Sequence, residues 1–198
     1  MKTTALAAAF GLATATLAAP VLADAEAYVL DASHSQILFS YDHLGFSTTY
    51  GLFSGFEGEI QFDADNPAAS LVSVSMPVTA MFTGWEERDA HLLSDDFFGA
   101  DDDDLVTFVS TGIEVTGETT ALITGDLTLN GVTQAVVLDT TLNQAGVHPM
   151  AQKPWLGFDA TTVLKRSDFG VDKFAPFVSD EVAVQISIEA MLADGNPS

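Results

Sequence analysis

The chain predicts an all-β protein whose antiparallel sheet closes into a barrel, and three observations carry that reading. Apolar residues occupy every second position in run after run: Val72, Val74, Met76 and Val78; Val132, Val136, Leu138 and Leu142; Val182, Val184, Ile186 and Ile188. That is the period of a strand with one buried face. The residues between them are polar, among them Ser73, Ser75, Asp139, Thr141, Gln185, Ser187 and Glu189. From Ala27 to Leu192 almost no run repeats at helical spacing, so helices are not at hand to cover the apolar face. The sheet must stack on another sheet or curl onto itself, and long strands joined by short turns favour an up-and-down barrel. A barrel built this way is lined with hydrocarbon.

Taken in chain order, the first residues read as an export signal. Lys2 supplies a positive charge, Ala5 to Leu17 an apolar stretch, Pro20 a break and Val21-Leu22-Ala23 a small-residue cleavage site. Residues 1–23 are therefore expected to be removed and the protein to reside in the periplasm, with no stable membrane insertion after cleavage. A spanning anchor needs about 18 apolar residues, and Thr14 and Thr16 interrupt this stretch. Residues 24–198 contain no linker, internal repeat or low-complexity tract and are expected to form one domain.

Strands are expected at about 27 to 32, 35 to 43, 49 to 63, 70 to 79, 105 to 116, 120 to 130, 132 to 143, 154 to 166 and 181 to 192. In the third of these, Tyr50, Leu52, Phe56, Ile60 and Phe62 share one parity and are assigned to one face. Asn130-Gly131 lies between two alternating runs, as a tight hairpin requires. Around Gly112 the apolar parity switches from Val106 and Phe108 to Ile113 and Val115, which predicts a bulge. Residues 84–98 break the β pattern: Trp85, Leu92, Leu93, Phe97 and Phe98 fit helical spacing, and Ser94 is placed to cap a second helical turn. This predicts a short helical insertion with its aromatic face turned to the barrel, either a stopper or a gate. Small residues at Ser54, Gly58, Ser110, Gly125 and Ala160 are candidates to face inward and leave the barrel hollow.

Composition excludes several functions. A net charge of −22 repels nucleic-acid backbones and anionic bilayers. With no cysteine there is no disulfide framework, thiol catalysis or thiolate metal site. His34, His43, His91 and His148 are scattered singly, and His34 and His43 read as opposite faces of one strand. Neither they nor Asp101 to Asp104 has the spacing of a metal site, so no metal and no cofactor are expected. No nucleophile elbow, phosphate loop or zinc helix is present, and no catalytic residue is assigned. Phe39, Tyr41, Phe56, Phe108, Phe158 and Ile186 are candidates to line the lumen, with Trp85 and Phe97 at its mouth; packed core is the alternative for each.

Several segments together resemble one family: Asp31-Ala32-Ser33-His34-Ser35, His43-Leu44-Gly45-Phe46-Ser47, Gly51 to Phe56, Arg88-Asp89-Ala90-His91-Leu92, Gly125 to Thr133 and Lys165 to Val171. Their order and spacing resemble the YceI-like family of exported lipid-binding proteins. One departure is Asp103-Asp104, where the family usually has an aromatic-Pro pair. The resemblance implies an extended lipocalin-like barrel that holds an isoprenoid, a polyprenyl phosphate or quinone tail, or another long-chain amphiphile. On this reading the protein is a non-catalytic carrier; the alternatives are a small secreted lipid-modifying enzyme using the same cavity and a packed β-protein acting through its surface. The oligomeric state stays open, a homodimer among the options. Lys153, Lys165, Arg166 and Lys173 fall in one stretch of an acidic chain, and Arg166 is the candidate to meet a lipid headgroup, the alternative being an ion pair with Asp168 or another carboxylate that fixes its loop.

Overall fold

A computed structural model describes residues 25–195; the expected export signal lies outside them. Eleven strands and one helix follow each other as β1 (Glu26–Leu30), β2 (Gln36–His43), β3 (Ser47–Phe53), β4 (Glu57–Phe62), β5 (Leu71–Pro77), β6 (Met81–Phe82), α1 (Glu86–Leu93), β7 (Leu105–Val115), β8 (Thr120–Leu129), β9 (Val132–Val147), β10 (Pro154–Lys165) and β11 (Glu181–Leu192). Eight strands close an antiparallel barrel in the order β1-β4-β5-β7-β8-β9-β10-β11, with β11 returning to β1. β11 is long enough to serve two partners on its second edge: Ala183–Ser187 pair with β2, and Ala190–Leu192 with β1. From β2 the sheet continues through β3 to the two-residue β6, a flap beside one end of the barrel. Among the described residues no helix is long and apolar enough to cross a membrane.

The turn and bulge signals act as expected. Asn130 and Gly131 both adopt positive φ, 52° and 69°, the backbone of the two-residue turn that suits strand twist. The β7–β8 register shifts between Ser110 and Gly112, which turns Ile113 and Val115 inward with Val106 and Phe108. The expected strand from 49 to 63 is instead two strands. The chain breaks at Ser54-Gly55, where Gly55 has φ +74°, and the inward parity changes across the break. Thr49 and Phe53 face inward with Phe56, Ile60 and Phe62, whereas Tyr50 is left exposed. β6 had no counterpart among the expected strands, and β9 runs four residues past its expected end at 143.

The helical insertion forms, but shorter than expected. Ser94 closes α1 and opens the turn that follows: its hydroxyl donates to the His91 carbonyl at 2.6 Å and accepts from the Asp96 amide at 3.4 Å, and its own carbonyl accepts from the Phe97 and Gly99 amides. Thr83 ties down the entrance of the helix. Asp89 accepts from the Thr83 amide at 2.8 Å, while Arg88 donates from Nε to the Thr83 hydroxyl at 2.8 Å and from Nη2 to its carbonyl at 2.6 Å. Beyond the helix, Phe98 packs against all three groups of buried apolar side chains. The insertion is thus part of the fold's packing, with its polar face outward. The most tightly packed region is the wedge where β1 joins β4 and β11, with Tyr28, Leu30, Leu156 and Ala190 each at most 5% exposed.

Candidate functional site

Inside the barrel lies a cavity of ≈ 740 Å³, a size typical of small-molecule sites. Its wall is the inward parity of the strands: Ala121, Ile123, Leu127 and Leu129 on β8, Val136, Leu138 and Leu142 on β9, and Val182, Val184, Ile186 and Ile188 on β11. From Ala121 to Leu129 the wall extends about 26 Å along the strand. Ile123, Leu127, Leu138, Leu164 and Ile186 point inward yet are only half-buried. An apolar side chain facing a filled core loses its solvent contact; these do not, because the lumen they face is hollow.

One end of the cavity changes from apolar to polar along a single strand. On β2, Ile37 and Phe39 give way to Tyr41 and then His43. Their β3 partners follow suit, with Phe53 opposite Ile37, Gly51 opposite Phe39, Thr49 opposite Tyr41 and Ser47 opposite His43. Gly51 is needed because a Cβ there would stand 2.1 Å from the Phe39 ring. Trp85, Glu87, Arg88 and His91 of the helical insertion border the same end, as do Arg166 and Phe174. His91, Phe97 and Phe174 meet edge-on or tilted in a trio, with ring centroids 5.2 to 6.4 Å apart. Lys173 donates to Asp96, which also accepts from His91 at 3.0 Å. These bonds, the one from Lys173 foremost, hold the Asp96 carboxyl below its usual pKa. Insertion and loop therefore meet over the mouth.

Every residue expected from the sequence to line the lumen, its mouth or a headgroup site borders the cavity: Phe39, Tyr41, Phe56, Trp85, Phe97, Phe108, Phe158, Ile186 and Arg166. Arg166 also fills the alternative role, that of holding its own loop. Its Nε donates to the Ser179 carbonyl at 2.8 Å, Nη1 to those of Val171 and Lys173 at 2.6 and 2.9 Å, and Nη2 to that of Val178 at 2.8 Å. Four of its five N–H groups are committed to the backbone of residues 171–179, so Arg166 shapes the loop, though through carbonyls and not through Asp168. The basic stretch also disperses: Lys153 pairs with Asp194, and Lys173 with Asp96.

Two expectations change. His34 is not on β2 but in the turn before it, exposed, with Nδ1 2.7 Å from Asp31. Asp31, His34 and Glu189 come within 4.8 Å of one another. Their donor atoms already serve protein partners, since Asp31 also accepts from Ser33 and Glu189 accepts from Trp155 Nε1 at 2.7 Å. Of the five small residues expected to hollow the barrel, Ala160 alone borders the cavity. Gly125 lies beneath the Phe108 ring, Gly58 against the Ser73 carbonyl, Ser110 accepts from the Val72 amide, and Ser54 is exposed. Sequence reasoning missed the polar set of Ser47 and Thr49 and the contribution of Phe174. For the first, the alternation of β3 read through Gly51 carries the signal; for Phe174 no local signal exists.

A barrel with an apolar lumen and a polar mouth defines the protein as a lipocalin-like container in architecture. More particularly, the chain belongs to the YceI-like family, whose domain matches residues 28–190. It is 39% identical over 188 residues to a UPF0312 protein of Ectopseudomonas mendocina (strain ymp), spanning 93% of this chain and 96% of that one. Among solved structures it resembles Burkholderia cenocepacia BcnA, with TM-score 0.72 and 25% identity over 81% of this chain and 98% of the other. The Campylobacter jejuni YCEI protein gives TM-score 0.69 and 29% identity over 77% and 90%. A polyisoprenoid binding domain from Saccharophagus degradans, implicated in plant cell wall breakdown, shares the fold at TM-score 0.65 and 14% identity, over 85% and 99%.

Proposed function

We propose that this protein is a periplasmic, non-catalytic binding protein that houses an isoprenoid or similar long-chain lipid in its barrel. The observation that carries the proposal is the hollow lumen whose inward apolar side chains stay half-exposed around ≈ 740 Å³ of space. Hydrocarbon placed there leaves water at about 0.8 kcal/mol per methylene. About fifteen such groups contribute about 12 kcal/mol, of which lost freedom removes at least about 4, leaving affinity near micromolar without any strong polar contact. The periplasmic part of the proposal is supported by the N-terminal sequence alone. The description of the Saccharophagus degradans domain as polyisoprenoid binding agrees with it, although that likeness is one of fold. Titrating the protein with geranylgeraniol while following tryptophan fluorescence tests the reading. Saturable 1:1 binding with the alcohol recovered unchanged is expected; absence of binding, or chemical conversion of the lipid, overturns it.

A further inference from the structure

We propose that the flap side of the cavity mouth is a docking surface for a zwitterionic lipid bilayer, across which ligand passes between membrane and barrel. The inference rests on the reading of the cavity as a lipid site and adds the surface that serves it. A long-chain lipid spends almost none of its time free in water, so loading is fastest where the mouth touches the membrane that holds it. Three uncharged stretches meet there, although the chain carries 28 acidic residues: residues 44–56 of β3 and the turns around it, 77–85 leading into the insertion, and 174–179 of the loop after β10. Their apolar side chains point to solvent. Phe46 is 88% and Phe177 75% exposed, and Leu44, Trp85 and Phe174 are about half exposed; Trp85 and Phe174 border the cavity as well. The turns at the opposite end of the barrel differ, for each carries charge: Asp31, Asp63 with Asp65, Glu118, and Lys153.

The backbone of these tips is prepared for an apolar layer, in which every free N–H is costly. Leu44 donates its amide to the Phe177 carbonyl at 3.1 Å, which ties the two tips together. Gly45 donates to Asp42 Oδ1 at 2.7 Å and Phe46 to the His43 carbonyl at 3.0 Å. In the second tip Ala175 and Val178 donate to the Asp172 and Phe174 carbonyls at 2.9 and 3.0 Å, and Pro176 has no N–H to satisfy. A protein partner would ask for something else. Protein interfaces surround a packed apolar centre with a hydrogen-bonding rim, whereas these are separate projecting side chains above amides already in use. A fluid layer conforms to such projections, and an aromatic side chain like Trp85 suits the headgroup level. The outer face of the flap continues the surface with Tyr50 and Phe82, both exposed. Across the mouth stands the acidic insertion, with Glu86, Glu87 and Asp95 exposed. It confines contact to the flap side and turns the protein away from bilayers of net negative charge.

The experiment loads the protein with geranylgeraniol, mixes it with phosphatidylcholine vesicles and follows departure of the alcohol by tryptophan fluorescence. The rate is expected to rise in proportion to vesicle concentration, because transfer occurs on contact. Adding phosphatidylglycerol to the vesicles should lower it several-fold at low salt and less at physiological ionic strength. Phe46→Ser combined with Phe177→Ser, which removes side chains that touch little of the protein, should cut the contact rate roughly tenfold. The same variant should keep the alcohol's affinity in vesicle-free titration within about twofold and leave the urea midpoint unchanged. Val147→Ser with Met150→Ser, also exposed but at the opposite end, should alter none of these. A rate independent of vesicle concentration, or one that the Phe46 and Phe177 variant leaves unchanged, overturns the docking surface, while saturable vesicle-free titration leaves the lipid site standing. A dimer in solution that this variant converts to monomer, with transfer independent of vesicles, makes the face an interface between two copies and overturns the proposal too. No uptake of the alcohol overturns both readings.

Discussion

Leu156 and Leu164 lie on the same strand, β10, and share its inward parity, yet the structure assigns them different work. Leu156 is 2% exposed and packed into the wedge beside Tyr28 and Ala190. Leu164 is half-buried and borders the cavity. Truncating Leu156 to alanine removes the transfer energy of the side chain and leaves a void that its neighbours cannot fill, so the expected loss is about 3–4 kcal/mol. Truncating Leu164 enlarges a space that already exists. Only the transfer energy of the buried half of the side chain is lost, about 1 kcal/mol. Urea denaturation of the two variants, with unchanged dependence on denaturant, measures both values. The order reverses for ligand: Leu164→Ala should lower geranylgeraniol affinity several-fold, and Leu156→Ala should leave it nearly unchanged wherever the protein remains folded. Equal stability losses would mean that the lumen around Leu164 is as well packed as the wedge, and would refute the hollow barrel.

Other outcomes follow from the mouth. Trp85, 58% exposed, should report ligand entry through its fluorescence, and Trp85→Ala should speed release while costing well under the roughly 3–5 kcal/mol of a buried aromatic; a full-sized loss with unchanged release makes the insertion a stopper. Arg166→Gln should weaken geranylgeraniol and geranylgeranyl monophosphate alike, because the side chain holds its loop; selective weakening of the monophosphate would give it the headgroup role as well. Asp96, with its pKa depressed chiefly by Lys173, contributes its latch fully above the ordinary carboxylate value, and that contribution fades as pH falls through the lowered one. Ligand release should therefore accelerate on acidification below about pH 4, and an identical acid step in Asp96→Asn would contradict the assignment. Single replacement of His34, His43, His91 or His148 by glutamine should remove no turnover; conversion of a bound lipid, abolished by one of them, would make the protein an enzyme.

The barrel was legible because most of its strands contrast an apolar with a polar face, and β5, β8, β9 and β11 keep that contrast over most of their length. Asn130-Gly131 and the parity switch at Gly112 are local signals with local causes, and both acted as read. The break at Ser54-Gly55 was hidden because β3 carries apolar residues on both parities: Tyr50 and Leu52 are on the outer one while Phe53 faces the lumen. Small residues were misleading for a related reason. A glycine frees space only if no neighbour takes it, and the Phe108 ring takes the space over Gly125. Arg166 and Lys173 depended on partners that the chain supplies from a folded loop or from 77 residues away, which no spacing rule reaches. The cavity-lining aromatics were readable from strand parity; the electrostatic state of the mouth was not.

The central claim is that the barrel is a container filled by a lipid. Native mass spectrometry of the protein purified from the cells that make it, followed by solvent extraction of the same sample, tests it most directly. The account predicts a non-covalent adduct of one long-chain lipid per chain, released on denaturation and extracted as an intact molecule with an apolar tail. A protein that arrives without lipid and takes up no added geranylgeraniol would contradict it.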